Sequence, residues 1–181
     1  ARDNNPEAGG AVWEQVDFKA TESAGPFLVS YPNATDEVWE AGDFIEVTWD
    51  VANTNNNIVN CQYVNIRLST DFGNTYPIIL SENTLNDGSE FITVPVDAVA
   101  NNRARIKVEA ADNIFFDISN ENFDIVEPSQ PGYTLTPSPS SQQVCLPDVA
   151  TVDLSTASIL SFENTIQLEI IDGLPEGAIA S

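Results

Sequence analysis

The chain has 181 residues, 42% of them hydrophobic, and its 6 Lys and Arg against 28 Asp and Glu give a formal charge of −22. That balance excludes nucleic acid and anionic membrane surfaces as partners, because affinity for phosphate comes from cationic side chains that release counterions. With no histidine in the chain, the usual base for a Ser or Cys nucleophile and the HExxH zinc helix are both missing; no stretch approaches the ~20 apolar residues of a membrane span, and no catalysis is expected within these residues.

The chain echoes itself at a spacing of just over a hundred residues. Ala1-Arg2-Asp3-Asn4 returns as Ala110-Ala111-Asp112-Asn113, and Val16-Asp17-Phe18 as Phe123-Asp124-Ile125. Val47-Thr48-Trp49-Asp50-Val51 likewise returns as Ala150-Thr151-Val152-Asp153-Leu154. Such a period is the size of an immunoglobulin-type sandwich, roughly 100 residues, and not of a solenoid repeat. Residues 1–24 are therefore expected to be closing strands of a preceding β-sandwich, 25–128 a complete Ig-like sandwich, and 129–181 the opening strands of a following one. With Ala at position 1 and no Met anywhere, a processed or excised piece of a longer chain is expected.

In chain order, the echo places strand pairing at Trp13 to Phe18. From Phe27 onward apolar residues recur with period 2, the mark of strands with one buried face. Phe27 to Tyr31 is a first strand. Ile45, Val47, Trp49 and Val51 alternate with Glu46, Thr48 and Asp50 in a second, with Trp49 toward the core, and Asn53 to Asn57 break it. Val64, Ile66 and Leu68 form a third strand and Tyr76 to Leu80 a fourth. The polar turn Asn86-Asp87-Gly88-Ser89 leads to Phe91 to Val94, which Pro95 ends. Ala104, Ile106, Val108 and Ala110 alternate with charged residues in a sixth strand; Ile114 to Ile118 and Phe123 to Val126 supply the last pairing. Glu127 to Gly132 reads as a linker. Pro137 to Ser141 reads as an edge segment, and Thr151 to Leu154 and Thr165 to Ile171 as further strands. Helix signals are absent, and the fold class is all-β, tandem immunoglobulin-like or fibronectin III-like sandwiches.

Between the third and fourth strands lies Ser69-Thr70-Asp71-Phe72-Gly73-Asn74-Thr75-Tyr76, which resembles the Asp-box, Ser-x-Asp-x-Gly-x-Thr-aromatic. In such a turn Asp71 accepts backbone N–H groups, Gly73 supplies positive φ and Tyr76 packs beneath the hairpin. The box occurs in several copies in sialidase-like propellers as a structural turn, and the single copy here implies the same role for Ser69, Asp71, Gly73, Thr75 and Tyr76. Of the three tryptophans, Trp39 in the acidic segment Asp36 to Asp43 is the candidate contact residue, against the plainer alternative of a lid over a sheet edge. Cys61 and Cys145 fall in different modules and lack metal or redox spacing, so each is expected to be free or paired outside the chain. The acid excess suits a solvated surface; a second use is calcium held by carboxylates at module junctions, among them Asp3, Glu22, Asp112 and Glu127.

Several strings resemble the accessory β-sandwich region downstream of the catalytic domain in secreted bacterial reprolysin-like zinc metallopeptidases, a module type also found in large surface proteins. They are Trp49 to Thr54, Val64 to Asp71, Asn86 to Ser89 and Asn113 to Ser119, flanked by Arg2 to Asn5 with Trp13 on one side. On the other flank stand Val144 to Pro147 and Gly173 to Gly177. The resemblance implies an exported bacterial multidomain parent. The zinc helix is missing, so no catalytic residue carries over. One role is expected from this reading, with two alternatives to it, taken here in that order. One is a spacer and adhesion surface, whose partners are neighbouring domains or copies of the chain; another is a module that targets an enzyme to protein or glycan; the last is the repeating unit of an extracellular filament. Exposed aromatics on one sheet face mark targeting, and aromatics confined to cores and junctions mark a spacer.

Overall fold

In the computed structural model, residues 13–15, 17–18, 20–138, 144–145 and 149–170 are described. They form an all-β structure of eleven strands with no helix among them. The strands are β1 (Leu28–Tyr31), β2 (Val38–Glu40), β3 (Phe44–Asp50), β4 (Tyr63–Ser69), β5 (Ile78–Leu85), β6 (Ser89–Thr93), β7 (Ala100–Ala110), β8 (Phe116–Ile118), β9 (Phe123–Val126), β10 (Gly132–Ser138) and β11 (Asp153–Ile159).

Two sheets enclose one core. The smaller has the order β1-β3-β6; the larger has the order β2-β9-β7-β4-β5, with β8 also paired to β7. Val29, Val47, Trp49 and Ile92 from the first sheet meet Trp39, Val64, Ile66, Leu68, Ile106, Val108, Phe123 and Ile125 from the second, all buried. The alternation seen in β3, β4 and β7 has this cause: every second side chain enters the core, and each such Val or Ile contributes roughly 1.5–3 kcal/mol by leaving water. The result is a β-sandwich.

Several strand bounds shift by a few residues. The expected fourth strand begins at Ile78 and continues to Leu85. The run from Ile114 narrows to Phe116–Ile118. The strand expected at Thr151 begins instead at Asp153. Residues 165–170 form no strand, and position 171 lies outside the described residues.

The closing strands expected within 1–24 fall mostly outside the described residues. Residues 1–12, 16 and 19 lie outside the described residues, and every described position from 13 to 24 is free of strand. Trp13 and Phe18 are both largely exposed. Strand β2, absent from the sequence reading, pairs parallel to β9 with Trp39 opposite Ile125.

Beyond Val126 the chain forms the two-stranded antiparallel sheet β10-β11. Pro137 sits within it opposite Leu154, in keeping with an edge segment. Thr134 and Ile159 are its buried residues, and both approach Gly42 of the sandwich. A Cβ on Gly42 would collide with the Ile159 Cδ1 and lie 3.7 Å from the Thr134 Cγ2. At φ +96° Gly42 also occupies backbone space that side chains disfavour. Ser129 fastens the connection, its N–H and hydroxyl donating to the Glu40 carboxylate at 3.0–3.1 Å.

Candidate functional site

The turn between β4 and β5 is built on one buried hydroxyl and one carboxylate. Ser69 ends β4 fully buried; its Oγ accepts the N–H groups of Asp71 at 3.2 Å and Gly73 at 2.9 Å, and donates to Asp71 Oδ1 at 2.7 Å. Asp71 also accepts the Thr75 N–H at 2.9 Å and the Thr75 hydroxyl at 2.7 Å. Phe72 and Gly73 both have positive φ, 66° and 79°, and the Phe72 N–H reaches Arg103 O at 2.9 Å. A Cβ on Gly73 would stand 2.9 Å from the Tyr76 hydroxyl, so the position requires glycine for space as well as conformation. The structure thus brings Ser69, Asp71, Gly73, Thr75 and Tyr76 together as one turn.

Electrostatics follow from those bonds. Hydrogen bonds from Ser69 and Thr75 lower Asp71 from the ordinary carboxylate value of 3.8 to about 2. A carboxylate so held is a poor proton acceptor near neutral pH, and its acceptor sites are already engaged. The Tyr76 hydroxyl is buried, with no hydrogen-bond partner among the described residues; burial pushes its pKa up while Arg105 pulls it down. Lys107 holds its ammonium 5.1 Å from the Tyr76 ring centre and 5.5 Å from that of Phe116.

Trp39 is not a contact residue. It is 1% exposed, its ring lies 4.5 Å from Phe123 and 6.2 Å from Tyr31, and its N–H donates to the Tyr31 hydroxyl at 3.1 Å. The acidic residues around Trp39 carry it on a strand whose alternation turns the indole inward, which a charged neighbourhood conceals in the sequence. Trp49 is likewise in the core, as its alternation indicates.

Glu22, Asp112 and Glu127 are exposed, and Asp3 lies outside the described residues. Among the described residues no three His, Cys, Asp or Glu side chains converge to hold a metal ion. Cys61 is buried and Cys145 exposed, both as free thiols. Burial pushes the Cys61 thiol up, outweighing the Tyr63 backbone bond.

The sequence reading missed the two outer faces of the sandwich. On the smaller sheet Phe44 and Phe91 stack in the open, ring centres 5.1 Å apart and 14° from parallel, beside exposed Leu28, Glu46 and Asp50. The larger sheet presents Arg67 opposite both Lys107 and Ile79, and Arg105 opposite Ser69. Alternation gives each strand an outward row, but only strand pairing shows which rows become neighbours. A third feature is an open, largely apolar pocket of about 670 Å³ at one end of the sandwich, lined by Phe18, Phe27, Ile58, Val59, Ile114 and Phe115 among others. In comparison with known proteins, no family model and no curated sequence matches this chain.

Proposed function

We propose that the chain is a non-catalytic tandem Ig-like segment of an exported bacterial multidomain protein, serving as structural spacer and interaction surface. The observation that carries this reading is the joint: Ser129 is bonded to Glu40, and Ile159 and Thr134 lie over Gly42, so the second unit is seated on the first and not merely tethered. A spacer has to transmit orientation, and a seated joint does so. The strand order supports the Ig-like topology, with β1, β3 and β6 as A, B and E against β5, β4, β7 and β9 as C′, C, F and G. The exported bacterial setting rests on the acidic composition and on the metallopeptidase-region resemblance.

The stacked Phe44 and Phe91 favour a second reading, a targeting module whose exposed aromatic face meets protein or glycan. Small-angle scattering of the full chain beside Glu40→Ala and Gly42→Ala tests the spacer. A larger maximum dimension in both variants supports it; unchanged scattering shows that the joint does not hold the units. Affinity electrophoresis in glycan-containing gels, with Phe44→Ala as control, tests the targeting reading.

A further inference from the structure

The sheet β10-β11 has two strands among the described residues, and a lone pair of strands is marginal in water until a third joins it. Its second strand repeats β3. After β3 come Ala52 and Asn53 at φ 46° and 60°, and the Thr54 N–H closes on Val51 O at 2.9 Å; after β11 come Leu160 and Ser161 at φ 48° and 59°, and the Phe162 N–H closes on Ile159 O at 3.1 Å. Strand β3 is flanked by β1 on one side and by β6, antiparallel, on the other. Strand β11 has β10 on one side and, among the described residues, no strand on the other, and six of its seven residues are exposed. The described residues that follow, 160–170, form no strand.

The other sheet edges are blunted against pairing. Charge and proline are the usual devices. The terminal strands β2, β5 and β6 carry Glu40, Glu82 and Glu90, and β8 carries Asp117. The Asp117 carboxylate also takes the Val29 N–H of β1 at 2.7 Å, and Pro137 removes an N–H from the free side of β10. In β11 the one charge is Asp153 at its first position; Leu154 to Ile159 is six residues without charge in a chain of charge −22. No other described edge offers six residues free of both charge and proline.

We infer that two copies of this chain pair antiparallel through their β11 edges, joining β10-β11 and its copy into one continuous sheet. The strand is complementary to itself. With Thr156 of both copies at the two-fold axis all seven residues overlap; Leu154 faces Ser158, Ser155 faces Ala157 and Asp153 faces Ile159 of the second copy. The two Asp153 carboxylates then stand about 20 Å apart along the strands, well beyond the roughly 8 Å over which exposed charges act at physiological ionic strength. Such a contact is isologous and closes at two, because it uses both β11 edges and leaves only β10, which Pro137 blunts. Ile159 lies against Gly42 of the sandwich, and antiparallel pairing puts the two Ile159 at opposite ends of the shared sheet, so each sandwich lies at its own end. The inference names the surface and partner for the interaction role proposed above, and it rests on that reading.

Sedimentation velocity of the full chain over a concentration series, at about 0.15 M and about 1 M salt, tests this, with folding checked by circular dichroism. The expected result is a monomer–dimer equilibrium with no larger species, and more dimer at high salt, because salt screens two bodies of charge −22. Thr156 is exposed, so Thr156→Lys and Thr156→Glu leave the fold intact while each sets like charges face to face across the axis. Each variant alone should sediment at the monomer mass, and their equimolar mixture should dimerise again. A wild-type chain monomeric at every concentration and salt overturns the inference, as does association that both variants leave unchanged, or a mixture that stays monomeric. Slow amide exchange at 153–159 in a monomeric chain shows that a strand of the same chain covers the edge, which also overturns it. The scattering of Glu40→Ala and Gly42→Ala is read at monomeric concentration, so the spacer and the pairing fail separately.

Discussion

The indole N–H of Trp49 donates to the side-chain oxygen of Asn86 at 2.9 Å, and the Asn86 amide donates in turn to the Thr54 hydroxyl at 2.9 Å and to Cys61 O at 3.0 Å. This one buried side chain joins β3, the loop after it and the approach to β4. The Asn86 N–H also reaches Gln62 O at 2.8 Å.

Asn86→Ala is therefore expected to destabilise the sandwich by about 1–3 kcal/mol, the cost of stranding buried polar groups. Urea unfolding followed by Trp fluorescence measures it. A midpoint unchanged from wild type would show that Asn86 is an ordinary turn residue.

Asp71 predicts a pH dependence of known sign. Its folded value, about 2, lies below the ordinary 3.8, so the fold favours the ionised form. That stabilisation is present above the ordinary value and is lost as pH falls through the folded one. Asp71→Asn should melt below wild type near neutral pH, and the gap should close between about pH 4 and pH 2. A gap that stays constant over that range would assign the effect to shape and not to charge.

Trp39→Ala should cost about 3–5 kcal/mol, the usual penalty for emptying a buried aromatic site. Trp39→Phe should recover most of it. Thermal melts of both variants provide the measurement, and a Trp39→Ala protein as stable as wild type would contradict the burial.

The thiols should differ in reactivity. Cys145 is exposed and Cys61 buried with its thiol pKa pushed up, so a colourimetric thiol reagent should label one group quickly in native protein and the second only after denaturant. Two fast groups, or none, would refute this assignment.

The readable parts of the chain were those in which structure is local or one face is buried. Val64, Ile66 and Leu68 show period 2 because each alternate residue meets the core, and the Ser69 to Tyr76 turn closes its hydrogen bonds within eight consecutive positions. Strand β2 escaped notice because it is three residues long, sits among acids and is defined by a parallel partner far along the chain. Asn86 looked like solvent-facing turn because its partners, Trp49, Thr54 and Cys61, are distant in sequence. The outer faces were hidden for the same reason: Arg67 and Lys107 become neighbours only through pairing.

The parallel pairing of β2 with β9 has a mechanical meaning. Val38, Trp39 and Glu40 run in the same direction as Asp124, Ile125 and Val126, with flanking bonds from Asp124 N to Glu37 O and from Ala41 N to Val126 O. Tension entering ahead of β1 and leaving through the linker would draw these two strands past each other lengthwise. Their hydrogen bonds then bear force together and not one after another as in a peeled hairpin. Force applied along the chain in that direction would load the β2–β9 ladder in shear.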